Sequence, residues 1–248
     1  MNEYKIENCA NSVESAIEAQ KGGAYRVELC AGIPEGGTTP SYGDIALARP
    51  HLDIRLHVII RPRGGDFLYN KLEQEIMLAD IRMAKQLKAD GVVFGCLTAD
   101  GDVDLPLMKR LMEEAEGMSV TFHRAFDMVC CPEKALEDVI GLGCHRILTS
   151  GGKATAEQGI EALKRLQQQA AGRIIIMPGC GVTPANVARI AEETGCKEFH
   201  FSGRKSIESG MRFRNPEVSM GGTVKIEEYS RDITDSAKIA AAVNALNR

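Results

Sequence analysis

Ile54–Lys88, IRLHVIIRPRGGDFLYNKLEQEIMLADIRMAKQLK, holds the unit from which the whole chain is built. Ile54–Ile60 is a short run dominated by apolar and β-branched side chains, the pattern of a strand. It stops at Arg61–Asp66, where Pro62, Gly64 and Gly65 break the run. Leu72–Lys88 then spaces its apolar residues as a helix does. The same strand, turn and helix recur along the chain. Strands are predicted at Tyr4–Cys9, Ala24–Cys30, Ile54–Ile60, Gly91–Cys96, Ser119–His123, His145–Ser150, Arg173–Met177 and Glu198–Ser202. Helices are predicted at Ser12–Lys21, Asp44–Arg49, Leu72–Lys88, Leu105–Glu116, Pro132–Leu142, Ala156–Gln169, Pro184–Glu193 and Asp235–Leu246. Thr183-Pro184 reads as a cap followed by a first-turn proline, and glycines mark several helix ends.

Alternating β and α segments imply a parallel sheet. Eight units in 248 residues average 31 residues each, the size of a (β/α)8 barrel. A doubly wound open sheet usually carries a Gly-rich turn after its first strand, and Glu7–Ser12 contains no glycine. The expectation is one TIM-type barrel domain over residues 1–248, with 204–229 irregular and lying over the barrel mouth.

Composition narrows the function. A net charge of −4 argues against a nucleic-acid binder, which needs a clustered cationic surplus. No apolar run approaches the roughly 18–20 residues of a membrane span, and the N-terminus lacks the pattern of an export signal. Eight cysteines are too sparse for a disulfide framework, and none forms a Cys-x-x-Cys pair. The expected setting is the cytoplasm, with reduced thiols and neither nucleic acid nor membrane as partner. Oligomeric state is left open, a homo-oligomer included.

Strand residues alternate between the barrel interior and the helix layer. Placing Val27, Leu29, Leu56, Val58, Ile60, Val120, Phe122, Phe199 and Phe201 toward helices turns a polar set inward. That set is Glu7, Cys9, Arg26, Glu28, Cys30, His57, Arg61, His123, His200 and Ser202. Barrel interiors are normally Val, Ile and Leu, and burying charge costs several kcal/mol unless it is paired. Arg26 suits a structural ion-pair layer, while the convergence of the others predicts a pocket at the C-terminal mouth. The loops there add Arg61, Arg63 and Asp66, then Arg124 and Asp127, Ser150, and Gly179 and Gly181. Paired guanidinium groups and Gly-rich loops after strands seven and eight suit an anionic ligand.

The motifs RVELC (Arg26–Cys30), EGGTTPS (Glu35–Ser41), IIRPRGGDF (Ile59–Phe67), TFHRAFD (Thr121–Asp127), LTSG (Leu148–Gly151), MRFRN (Met211–Asn215) and EYSR (Glu228–Arg231) resemble the copper homeostasis protein CutC family over nearly the whole chain. The resemblance implies a TIM-type barrel, cytoplasmic copper handling and Cu(I) as the bound metal. Cu(I) prefers thiolates, and Cys9 and Cys30 end adjacent strands in the same inward phase, with His57 or Cys180 as further donors. Three histidines with Glu7 or Glu28 also suit Zn²⁺ or Mn²⁺. The other reading is an enzyme acting on a small phosphorylated or carboxylated molecule. Arg61 and Arg63 would hold the anion, and Glu7, Glu28 and His123 would move protons. Schiff-base chemistry is disfavoured, because no lysine ends a strand facing inward.

Overall fold

The computed structural model describes residues 3–221 and 226–247. Eight strands supply the barrel: β1 (Lys5–Ala10), β2 (Arg26–Leu29), β3 (Arg55–Ile59), β4 (Gly91–Phe94), β5 (Ser119–Phe122), β6 (Arg146–Thr149), β7 (Ile175–Pro178) and β8 (Glu198–Phe201). All ladders between them are parallel and run β7-β6-β5-β4-β3-β2-β1-β8. β7 and β8 lie side by side without a ladder, so the barrel is nearly closed. Helices α1 (Val13–Lys21), α2 (Tyr42–Ala48), α3 (Lys71–Gln86), α4 (Leu105–Glu114), α5 (Pro132–Gly141), α6 (Ile160–Ala170), α7 (Val187–Thr194) and α8 (Ser236–Leu246) follow them in turn. This is the (β/α)8 barrel that the alternation predicts.

Two packing layers result from the strand alternation. Val27, Leu29, Leu56, Val58, Val120 and Phe199 are buried in the apolar layer between sheet and helices. Glu7, Arg26, Glu28, His57, Thr121, Arg146 and Glu198 are equally buried but lie on the opposite strand faces. Local signals set the helix ends. Asn70 caps α3 through the Leu72 and Glu73 N–H groups while Glu73 returns a bond to the Asn70 N–H, a capping box. Ser12 caps α1 by accepting from the Ser15 N–H.

Three expectations need correction. Thr183-Pro184 does not open α7. The Thr183 N–H donates to Asn186 Oδ1 and the Asn186 N–H to the Thr183 carbonyl, so Thr183–Asn186 is a turn and the helix starts at Val187. α6 starts at Ile160, four residues after the predicted Ala156, because the Ala156 N–H donates to the Cys180 carbonyl and Gly159 packs on the Ser150 carbonyl, where a Cβ would lie 1.9 Å away. The segment 204–229 is not irregular from its start. Arg204–Glu208 forms β9, antiparallel to β10 (Ser230–Thr234). This arm is moored beside α1. Arg231 pairs with Glu14, and Asn11 donates to the Asp232 carbonyl. Of the described residues between 205 and 229, none lines the mouth cavities. Part of the predicted irregular stretch, 222–225, lies outside the described residues.

Candidate functional site at the barrel mouth

A ladder of alternating charges fills the lower interior. Arg26 on β2 donates from Nε to Glu7 Oε2 and from Nη2 to Glu198 Oε2 at 2.6 Å. Arg146 reaches the same Glu198 oxygen at 3.2 Å and donates to Ser119 Oγ and Thr121 Oγ1. Burial opposes ionisation of Glu7, but the Arg26 charge and the His200 hydrogen bond hold its carboxyl well below the usual carboxylate range. Glu198 is likewise lowered against burial by Arg26 and Arg146. Arg26 does not pair with Glu28, its neighbour in the RVELC motif. The partners come from β1 and β8 instead.

Glu7 passes the ladder upward. Its Oε1 lies 2.8 Å from His200 Nδ1, and His200 Nε2 lies 3.7 Å from Glu28 Oε2. Burial disfavours the imidazolium, but bonds to Cys9 and Glu7 overcome it and raise the His200 pKa well above its ordinary value. Cys9 Sγ and Cys30 Sγ lie 3.5 Å apart, and Cys30 Sγ lies 3.6 Å from Glu28 Oε2. The contact between the sulfurs lowers the Cys9 pKa and raises that of Cys30, with burial opposing ionisation of both. Desolvation pushes Glu28 up to about 8, with nearby Cys9 and Glu7 adding to the rise against the pull of His200. One donor atom from each of Cys9, Glu28 and Cys30 falls within 4.8 Å of the others.

This cluster faces a cavity of about 270 Å³. The cavity walls include Cys9, Glu28, Cys30, Arg61, His123, Arg124, Asp127 and His200, with Phe67, Met128 and Leu148 as apolar surface. His123 caps the helical turn at Arg124–Met128 by accepting from the Ala125 N–H, and its ring lies 4.9 Å from that of Phe67, tilted by 57°. Its Nε2 is buried without a partner, and desolvation together with Arg61 brings its pKa down to about 3. Arg124 bridges Asp127 and Ser150. Asp127 also accepts from the Ser150 and Gly152 N–H groups and so ties the loops after β5 and β6 together.

Several predicted site residues stand elsewhere. Arg63 does not face the mouth. It pairs with Glu73 and Asp66 and donates to the Gly64, Asp66 and Leu68 carbonyls, so it holds its own loop. Asp66 is exposed with it. Arg61 does reach the mouth, but three of its N–H bonds go to the carbonyls of Glu35, Gly37 and Gly65. Its Nε alone is buried without a partner. A two-arginine clamp at this loop is therefore not formed, because the loop's own carbonyls and carboxylates take the donors. His57 lies inside the barrel against Gly91, where a Cβ would meet its Nε2 at 2.5 Å. Desolvation brings the His57 pKa down to about 3, and it does not line the cavity. Glu7 sits beneath His200, out of reach of a ligand. Ser150 is buried in the Asp127 clamp. Gly179 gives room for His200 and Leu148, since a Cβ there would lie 2.4 Å from Leu148 Cδ1. Gly181 and Ser202 line a neighbouring cavity of about 720 Å³ with Cys180, Arg204 and Lys238. Cys180 does not join the thiol pair; its Sγ contacts the Ala154 carbonyl.

Glu198, Arg146 and Phe67 escaped the sequence reading. Glu198 precedes His200 by two residues and Arg146 precedes Leu148 by two, so strand phase carried the signal for both. Phe67 closes the RPRGGDF loop, and nothing in the sequence says that its ring folds back over His123 and Arg61.

The CutC family model matches residues 4–205. A CutC family protein of Bacteroides thetaiotaomicron is 64% identical over 247 residues, 99% of each chain. The human copper homeostasis protein cutC homolog is 51% identical over 238 residues, 96% of this chain and 87% of that one. A crystal structure of CutC from Streptococcus agalactiae superimposes with a TM-score of 0.78 at 38% identity, covering 80% of this chain and 98% of the other. With a family model over most of its length and relatives above half identity along nearly all of it, the chain belongs to the CutC family.

Proposed function

We propose that this protein binds Cu(I) as its cargo in the cytoplasm, at the barrel mouth, through the Cys9 and Cys30 sulfurs. The observation that carries the reading is two thiols 3.5 Å apart on adjacent strands, with a buried carboxyl beside them. Thiolates select soft Cu(I) over harder divalent ions. At a metal–sulfur distance of about 2.3 Å, sulfurs either side of a linear ion stand about 4.6 Å apart, and in a trigonal site about 4.0 Å. The observed spacing is nearer the trigonal case and leaves room for a third donor. Glu28 offers one, since its Oε1 is buried without a partner. Loading expels the protons the thiols hold, because only thiolates ligate the metal. In an anaerobic competition against a chromophoric Cu(I) chelator, Cys9→Ala with Cys30→Ala should weaken binding at least 100-fold. Equal affinity in the double variant would sink the ligand assignment.

A second reading, an enzyme on a small anionic substrate, is favoured by the size of the cavity, about 270 Å³ where one ion needs far less. Glu28, titrating at about 8, is matched to general-acid work near neutral pH. His123, titrating at about 3, would serve as a hydrogen-bond partner and not as a base. A metabolite thermal-shift panel tests this, because a true ligand stabilises by mass action. No stabilisation by any anionic metabolite counts against it.

A further inference from the structure

We infer that the 720 Å³ cavity between the ends of β7 and β8 binds the phosphate group of a phosphorylated small molecule, with Arg204 and Lys238 as its main cationic contacts. The inference does not depend on copper. It moves the anion site from the RPRGGDF loop, where the arginines are engaged, to the opposite side of the mouth.

The lining carries the argument. Arg124, Arg204 and Lys238 all border this cavity, and no aspartate or glutamate does. The Arg124 charge is met by Asp127, but Arg204 and Lys238 pair with no carboxylate among the described residues, so in a chain of net charge −4 this side of the mouth carries a positive field. Arg204 sharpens it. Among the described residues no carboxylate pairs with its guanidinium, and its Nε is buried without a hydrogen-bond partner. Such a donor keeps its desolvation cost until a ligand accepts from it. Lys238 is held in place by the bond from its Nζ to the Arg204 carbonyl at 2.7 Å, which ties the two cations into one unit.

The backbone points the same way. Cys180 and Gly181 both have φ near +72°. Among the described residues the N–H groups of Cys180, Gly181 and Val182 find no acceptor. Successive free N–H groups in a turn are an anion-binding device, and cysteine rarely occupies the left-handed region without a reason. Two unpaired cations and free N–H groups exceed what a singly charged carboxylate needs and suit a phosphate dianion.

The cavity is continuous with the copper-reading site. Cys9, Arg124 and His200 border both spaces. A ligand anchored at Arg204 therefore extends its remaining atoms toward Cys9 and Glu28, so the ligand class is a small organic phosphate and not a macromolecule.

The test uses the full chain and inorganic phosphate at constant ionic strength, followed by titration calorimetry and thermal shift. Wild type should bind phosphate saturably, and Arg204→Ala with Lys238→Ala should weaken it at least tenfold. Arg204→Lys should recover part of the loss. Equal phosphate affinity in the double variant would overturn the inference. So would equal stabilisation by chloride, which marks screening only, or by acetate, which marks a general anion site. Phosphate binding should persist in Cys30→Ala, which does not border this cavity, and Cu(I) affinity should persist in Lys238→Ala. Each reading can thus fail without the other.

Discussion

The floor and the mouth of this barrel are both built from buried polar side chains, yet they are finished differently. On the floor, Glu7, Arg26, Glu198 and Arg146 alternate in sign, and each carboxylate meets a guanidinium. At the mouth, Glu28 Oε1, Arg61 Nε, His123 Nε2 and Arg204 Nε have no partner. Both regions bear the desolvation cost of polar groups, but the ion ladder of the floor recovers it within the protein; away from the mouth, His57 Nδ1 and Tyr69 Oη are also without a partner among the described residues. Buried polar groups are nearly always satisfied, so a cluster of orphans around open space marks where a ligand completes the set. The contrast separates charge that holds the barrel from charge that waits for something to bind.

The largest expected effect lies on the floor. Glu198→Ala strips a carboxylate from both Arg26 and Arg146 and should destabilise the fold by about 3–5 kcal/mol in urea unfolding. A loss below about 1 kcal/mol would mean the ladder is not structural. Next is the mouth pair. Cys9→Ala with Cys30→Ala should cost at least about 2.7 kcal/mol of Cu(I) affinity, the equivalent of about 100-fold. Unfolding stability should change far less, since the fold does not depend on that pair.

The pH dependence of the metal-free protein tests both regions together. His57 and His123 titrate at about 3 when folded against an ordinary 6.5, so their contribution is present above 6.5 and lost as pH falls toward 3. Glu28 titrates at about 8 when folded against 4.5, so its contribution is present below 4.5 and lost as pH rises through 8. Each proton contributes a slope of about 1.4 kcal/mol per pH unit. Two histidines outweigh one glutamate between 4.5 and 6.5, and Glu28 alone of the three falls above it. Thermal stability should therefore peak near pH 6.5, and Glu28→Gln should make the alkaline side shallower while leaving the loss that His200, raised above its ordinary value, adds as pH rises above 6.5. An unchanged alkaline limb would show that Glu28 is already ionised. The smallest effect belongs to Arg63. Its side chain is 36% exposed, so solvent screens its pairs with Glu73 and Asp66. Arg63→Ala should lower stability by no more than about 1 kcal/mol and leave Cu(I) and phosphate binding intact. Loss of either would place Arg63 back in the site.

Much of this was legible before folding. Strand alternation put Glu28, Cys9, Cys30, His123 and His200 inward, and all five line the mouth cavity. The same alternation treated His57 as their equal, but His57 lies four residues before Arg61, two inward steps lower in the barrel. His57 therefore packs against Gly91, and Arg61 reaches the rim. Arg63 and Arg61 are indistinguishable as letters in RPRGGDF. They differ because one emerges beside Glu73 and the other beneath the Glu35–Gly37 carbonyls.

The amino-acid order alone determined the eight-unit barrel, since the periods of strand and helix are local properties of the chain. It also determined which strand residues face inward, because side chains alternate every residue. Which inward charges neutralise one another was decided only by the closed barrel. Arg26 meets Glu198 across 172 residues and Glu7 meets His200 across 193. Such pairings follow from strand order and stagger, and so do the groups left over at the mouth. Charge compensation acts over a few ångströms of space, and no spacing along the sequence measures that distance.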